Sequence, residues 1–256
     1  MEIKELKRRG KLLLKKKSYW LNVVIVFIMA LNIDAIISLF TTDYEQFFSL
    51  FTPSNFNWTN IKEFVLDSNR DDNITSKFLS IAILLFETLF LVIFRVGGIR
   101  YFLKLRKNQP ASFNEIFEDF KNKTAGNIVA VSLVKFLSCV IWMLLGIIPG
   151  IIKIFQYWAV EYILALRPDI TASEALDLSK KLMKGNKLKA FVLDLAFIHW
   201  LVLSWLTLGI FGYLYVTPYY EATHIEFIGN LREEAIEKGV IKPKDLPDYE
   251  EIAQTA

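Results

Sequence analysis

The chain has 256 residues, of which 54% are hydrophobic, 14% aromatic and 22% charged, with a net charge of only +3. Soluble domains sit nearer about 45–50% apolar, and here the excess is gathered into blocks, as a membrane solvent requires. Basic residues flank those blocks instead of lining one folded face, which excludes nucleic acid as a partner, and the single cysteine, Cys139, excludes an internal disulfide.

Residues 1–18 carry eight Lys or Arg, and within them Ile3, Leu6, Gly10, Leu13 and Leu14 fall near one face of a helix. Tyr19–Phe40 is the first apolar run. Its length, and the lack of a small-x-small cleavage site after it, predict a retained span instead of a cleaved signal. Segment 41–77 holds three basic residues (Lys62, Arg70, Lys77) against six acids, and is rich in aromatics at Phe47, Phe48, Phe51, Phe56 and Trp58. Phe78–Phe94 is the second apolar run. Segment 95–126 then holds seven basic residues and a stripe of Phe113, Ile116, Phe117 and Phe120, with Ser112 and Glu115 at capping-box spacing ahead of it.

Asn127–Ile148 and Ile151–Leu166 follow, separated by Gly146-Ile-Ile-Pro-Gly150, which reads as a tight reversal. Segment 167–189 holds six basic residues and the stripe Ala175, Leu178, Leu182 and Met183, opened by Thr171 and Glu174 with the same capping spacing. Leu188–Tyr220 is long enough for one span and most of another, with a reversal at Thr207-Leu-Gly-Ile-Phe-Gly212. Pro218 is expected to kink the last span, and the acidic stretch from Lys242 is expected to be a mobile end.

Lys and Arg collect on the cytoplasmic side of short loops. Applied here, that rule closes on six spans, about 19–40, 78–95, 127–148, 151–166, 188–207 and 212–229, with both termini in the cytoplasm. The predicted fold is all-α: a polytopic helical bundle over 1–240 with interfacial amphipathic helices on its cytoplasmic face, and a cytoplasmic tail over 241–256. The chain also reads as three units in one orientation, each an interfacial helix, a span, a turn and a returning span. Leu182-Met-Lys-Gly-Asn-Lys-Leu188 compares with Leu14-Lys-Lys-Lys-Ser-Tyr-Trp20, which makes a parallel repeat.

Several of these segments in order carry a family pattern. Ile148-Pro-Gly-Ile-Ile152, Ser173-Glu-Ala-Leu176, Ser179-Lys-Lys-Leu-Met-Lys-Gly185, and Pro218-Tyr-Tyr220 with Thr223 and Phe227 resemble the domain of unknown function 975 family. These are predicted integral membrane proteins, mostly from Gram-positive bacteria. The opening Ile3-Lys-Glu-Leu-Lys7 fits as well. The chain departs from the pattern in lacking Gly-Asn before its first span and in having His199 where a Gly stands ahead of Trp200. The resemblance implies a multi-pass helical protein of a bacterial cell membrane, and it transfers no catalytic residue.

Ionisable groups inside spans are costly and therefore candidates for function. They are Glu87, Lys135, Glu161, Asp194, His199, Glu221 and His224, with Asp34 apart from them in the outer half. Glu87, Lys135, Glu161, Asp194 and Glu221 come from five different spans and fall roughly 8–14 Å deep from the cytoplasmic ends at about 1.5 Å per residue. Four carboxylates and one ammonium exceed pairwise neutralisation, so His199 and His224 become candidate partners. Two arrangements satisfy this: a cross-helix ion-pair network around Lys135 that fixes helix order, or a water-filled inner vestibule for a cation, a proton or a lipid headgroup. Glu221 and His224 share a helical face, but the second motif of a di-metal bundle is missing, so no metal is expected. No phosphate-binding loop, His-Glu-x-x-His or Gly-x-Ser-x-Gly elbow occurs, so neither catalysis nor a cofactor is expected. The function expected is a non-enzymatic membrane component contacting anionic lipid headgroups at its cytoplasmic face, or a protein partner. The alternative is a small-solute, ion or proton-coupled transporter that uses the buried acids.

Overall fold

A backbone in hydrocarbon must satisfy its own polar groups, and a chain with these apolar runs does so by coiling into helices. The computed structural model describes residues 2–16, 19–29, 91–206 and 211–247. Among them every regular element is helical, with no strand. Most of the first two predicted spans, the segment 41–77, Asp34 and Glu87 lie outside the described residues.

In chain order the described helices are α1 (Ile3–Lys15), α2 (Tyr19–Met29), α3 (residues 91–106), a 3-10 turn (Phe113–Phe117) leading into the single-turn α4 (Glu118–Lys121), and α5 (Ala125–Leu145). Then come α6 (Ile147–Gln156), α7 (Val160–Leu166), α8 (Ala172–Met183), α9 (Lys187–Leu195), α10 (Ile198–Leu206), a π-helical turn (Gly212–Val216) and α11 (Thr217–Glu237). Among the described residues, two passages are long and apolar enough to cross a bilayer: α5, and α6–α7 read together as Ile147–Leu166. The predicted fifth span is divided into α9 and α10. The sixth runs on through charged residues to Glu237. The kink expected at Pro218 is replaced by the π-helical turn just ahead of it, where Thr217 Oγ1 donates to Gly212 O at 3.1 Å, so the proline stands in the first turn of α11 where its missing N–H costs nothing.

The reversal predicted over 146–150 is shorter than its sequence suggests. Only Gly146 is non-helical, and Pro149 and Gly150 already belong to α6. Gly150 has a packing role as well: a Cβ there would stand 2.9 Å from Met143 Cα. The hairpin's outer end is strongly apolar, with Leu144 83%, Ile147 73% and Ile148 73% exposed, a surface suited to lipid.

The cytoplasmic helices differ from expectation in what they do with their apolar stripes. α1 buries Leu6, Gly10, Leu13 and Leu14 against α11, and α8 buries Ala175, Leu178, Leu182 and Met183. Those stripes face protein, so neither helix lies on lipid by its apolar side. The Phe113–Phe120 segment does the reverse. Ile116 is fully buried while Phe113, Phe117 and Phe120 are exposed, and Phe117 and Phe120 gather around Phe94 with ring centroids 6.0 and 5.6 Å away. Of the two predicted capping boxes, Thr171 does accept from Glu174 N at 3.4 Å. Ser112 makes no side-chain cap: the Glu115 N–H donates to Ser112 O at 3.2 Å instead of to its hydroxyl, and the Glu115 carboxylate is drawn to Lys104 at 2.6 Å.

One contact recurs. Gly10 of α1 lies against Thr223 of α11, so close that a Cβ would stand 2.5 Å from Thr223 Oγ1 and 3.0 Å from its Cα. Gly97 of α3 lies against the 3-10 turn, its Cβ position 2.6 Å from Ile116 Cα. α8 packs on α7. In each case a basic helix or turn that leads into the next apolar helix rests on the helix before it, and α1 rests on α11. Gly10 and Ile116 stand at the same interval ahead of α2 and α5, which is the parallel repeat seen in the sequence.

Helix breaks are served by the same helices. At the break after α6, Ser179 Oγ of α8 donates to Gln156 O at 2.9 Å. At the break between α9 and α10, Lys7 Nζ of α1 donates to Ala196 O at 2.5 Å and lies 4.4 Å from the centroid of the Phe197 ring. Burial first, and the nearby Lys11 charge second, pull the Lys7 ammonium below its ordinary range. After α11 the described residues, as far as 247, pack against the fold: Ile241 and Leu246 are buried, and Arg232 Nε donates to Leu246 O at 2.9 Å; the rest of the expected mobile end lies outside the described residues.

Gly10→Ala and Gly97→Ala are each expected to lower stability by about 1–3 kcal/mol through overpacking, whereas Gly126→Ala, which meets nothing within 4 Å, is expected to be neutral. Thermal unfolding of the full chain in detergent checks this; equal behaviour of the three variants would show that the close approaches are not tight.

Candidate functional site

Three charged positions on different helices come together. Arg95 on α3, Glu161 on α7 and Glu221 on α11 line one cavity with Trp158, Tyr162 and His224. Arg95 and Glu221 correspond: Gly97 follows Arg95 at the interval at which Thr223 follows Glu221, and Gly97 and Thr223 each pack closely on a neighbouring element. Three helices thus send one charged side chain each to a shared centre.

The charges are paired. Lys135 Nζ of α5 reaches Glu161 Oε1 at 2.5 Å. Arg95 reaches Glu221 Oε1 at 3.6 Å. Asp194 of α9 accepts from Tyr220 OH at 2.8 Å and lies 3.0 Å from His224 Nε2. His224 is held between aromatic rings, its centroid 4.1 Å from Trp158 and 3.9 Å from Tyr220. Two cations therefore meet two carboxylates, and the third carboxylate has a hydroxyl and an imidazole. The cavity at the centre measures about 20 Å³, the scale of one water molecule. Arg95 Nε is buried there without an acceptor among the described residues.

Of the seven positions singled out in the sequence, the structure brings together Lys135, Glu161, Asp194, Glu221 and His224. Glu87 lies outside the described residues. His199 is exposed and sits beside Trp200, ring centroids 5.0 Å apart, so it takes no part. Arg95 was assigned by its charge to a cytoplasmic loop and is the member that balances the cluster. The signal for it was present: α3 runs through Arg95 without a breaker, and its position matches that of Glu221. Tyr220 and Trp158 carry no charge and stood out only as aromatics after a turn.

A second ionic layer lies toward the C-terminal end of α3. Arg100 and Asp119 form a buried two-pronged pair at 2.9 and 2.8 Å, and Thr124 Oγ1 adds a bond to the same carboxylate at 2.9 Å. Tyr101 OH donates to Asn22 Oδ1 at 2.8 Å while Asn22 Nδ2 donates to Leu14 O at 2.9 Å, tying α3 to α2 and α1. Burial pushes the Tyr101 phenol up to about 12, so it stays a donor throughout the physiological range.

Chemically the centre can hold helices in register, and its cavity can admit a water. Its acids are engaged by cations or hydroxyl, which supports the ion-pair network over an open vestibule. Residues 147–235 match the family described as Protein of unknown function (DUF975), which bears out the resemblance read from the sequence. No curated protein and no solved structure matches the chain.

Removing one partner strands a charge, so Lys135→Met or Glu161→Leu alone is expected to cost about 3 kcal/mol, and the two together markedly less than the sum. Unfolding of the four proteins in mixed micelles measures the coupling; strictly additive losses would mean the pair holds nothing.

Proposed function

We propose that this chain, which carries the pattern of the Protein of unknown function (DUF975) family over residues 147–235, is a non-enzymatic multi-pass component of a bacterial cell membrane that gathers anionic lipid at its cytoplasmic face. It has six spans and both termini in the cytoplasm. The observation that carries this reading is the orientation of α1. Its apolar stripe is committed to α11, while Lys4, Arg8, Lys11 and Lys15 stay exposed on the opposite face. Each basic residue near an anionic surface contributes on the order of 1 kcal/mol.

Other features support the same reading. Lys180, Lys181, Lys184 and Lys189 are exposed around α8, as are Lys121 and Lys123 ahead of α5, so positive charge stands wherever the chain enters the bilayer. Phe113, Phe117 and Phe120 are half-exposed at that level, where aromatic rings favour the headgroup region. The span count rests on the two apolar passages α5 and α6–α7 together with the alternation of basic and acidic connections. Transport is the weaker reading, since the acids that would serve it are paired and the cavity among them is about 20 Å³.

The full chain in neutral detergent is expected to gain thermal stability from phosphatidylglycerol over phosphatidylcholine, with the difference shrinking as salt rises; no selectivity at low salt would sink the lipid reading. In a Cys139→Ser background, Lys4→Cys and Lys107→Cys should react with an impermeant maleimide in inside-out vesicles and Trp58→Cys in right-side-out ones. Any reversal would break the six-span topology.

A further inference from the structure

The reading above concerns a whole face; one place on it is shaped. A groove of about 380 Å³ opens between α1, the end of α3 and the cytoplasmic half of α11, lined by Arg9, Leu12, Lys16, Arg106 and Lys107 with Glu226 and Glu233 behind them. Its volume falls within the range of small-ligand sites, about 300–1,000 Å³. It lies where the chain enters and leaves the bilayer: Lys16 stands just ahead of α2, and Lys107 directly follows α3.

Two of its cations are fixed in place. Arg106 is held by Glu226 at 3.3 Å and Glu233 at 2.9 Å, and its guanidinium lies flat over Gly229, where a Cβ would stand 2.8 Å from Arg106 Cζ. Lys16 Nζ donates to Leu105 O at 3.0 Å and Arg106 O at 3.1 Å, which seats an ammonium on the carbonyl end of α3 and leaves one of its three protons for a ligand. Arg9 is steered from the other side by Glu5 at 3.0 Å and Asn230 at 3.5 Å. Four cations line the groove with two carboxylates; both carboxylates are held by Arg106, and Arg9 keeps Glu5 beside it. The remaining wall is hydrocarbon: Leu12 stays 46% exposed on the rim, although the neighbouring Leu13 is buried.

We infer that this groove binds the phosphodiester headgroup of one anionic lipid. The phosphate sits among Lys16, Lys107 and Arg9, and the glycerol and upper acyl chain lie along Leu12. Cations converging from two chain segments, α1 with the residue after it and the end of α3, suit an anion with several oxygens, since each can take its own hydrogen bond. The exposed Leu12 on the rim suits a molecule whose other end is a hydrocarbon chain. Arg106 is the positioning residue of the groove: its ties to Glu226 and Glu233 set the angle between α3 and α11 and so the width of the opening. This inference rests on the lipid-gathering reading and narrows it to one site.

The test is native mass spectrometry of the full chain in detergent, titrated with dioleoyl phosphatidylglycerol, with dioleoyl phosphatidylcholine, and with phosphatidylglycerol in the presence of millimolar inorganic phosphate. One phosphatidylglycerol per chain is expected to be retained. Its affinity should fall about tenfold in Lys16→Gln/Lys107→Gln and less than twofold in Lys242→Gln/Lys244→Gln, which removes as much charge from exposed positions away from the groove. Leu12→Gln should weaken binding without any change of charge, and thermal unfolding shows which variants are folded. If Lys16→Gln/Lys107→Gln is unfolded, Leu12→Gln decides: undiminished binding in that variant overturns the site. Equal losses in the two double variants would overturn the groove and leave a diffuse attraction to the face. Displacement by inorganic phosphate would overturn the lipid as occupant in favour of the free ion. No selectivity in any variant would defeat the lipid-gathering reading itself.

Discussion

A carbonyl at a helix end or break has no partner along its own chain, and in hydrocarbon it has no water either. Much of this structure follows from where the missing donors come from. Gln156 O is served by Ser179, Ala196 O by Lys7, the end of α3 by Lys16, and Pro168 O and Ile170 O by Asn127. The donors belong to α1 and the residue after it, to α5 and to α8. The basic amphipathic helices are therefore more than anchors. Their polar side chains complete the backbone of the spans, and in doing so they fix where each helix must lie.

That constraint explains the close packing. A lysine or serine side chain reaches a neighbouring carbonyl only if the two helices approach within a few ångströms, and glycine at Gly10 and Gly97 permits it. The same approach turns faces of α3, α7 and α11 inwards, which carries Arg95, Glu161 and Glu221 to one centre. An arginine on one helix and glutamates on the other two allow a charge cluster that three identical residues would not, because like charges at that distance repel. The repeat is thus visible in the backbone and deliberately broken in its side chains.

How much of this the sequence discloses depends on what kind of signal each feature leaves. Apolar blocks leave a strong one, so the all-α class, the body of α5 and the end of α7 at Leu166 could be read directly, whereas the break between α6 and α7 inside the expected 151–166 span could not. Lys135, Glu161, Asp194, Glu221 and His224 stood out because charge inside hydrocarbon is conspicuous. Arg95 did not, since a basic residue at the end of an apolar run looks the same whether it faces water or folds inwards against Glu221. His199 erred in the opposite sense: it lies within an apolar run yet on an outward face. The amphipathic stripes were legible as stripes, but periodicity does not say whether lipid or protein covers them. For α1 and α8 it is protein. The cap at Ser112 failed because the Glu115 N–H goes to Ser112 O and the Glu115 carboxylate to Lys104.

The contact between α1 and α11 has a consequence for biosynthesis. Gly10 leaves the ribosome long before Thr223 exists, so the stripe of Leu6, Leu13 and Leu14 has no native partner until the final span is in place. Throughout that interval α1 is a free basic amphipathic helix, the form that settles on an anionic membrane surface. The bond from Lys7 to Ala196 O, by contrast, needs only the chain as far as the break between α9 and α10. The first helix made is therefore covered along its apolar stripe only when the last one, α11, is complete.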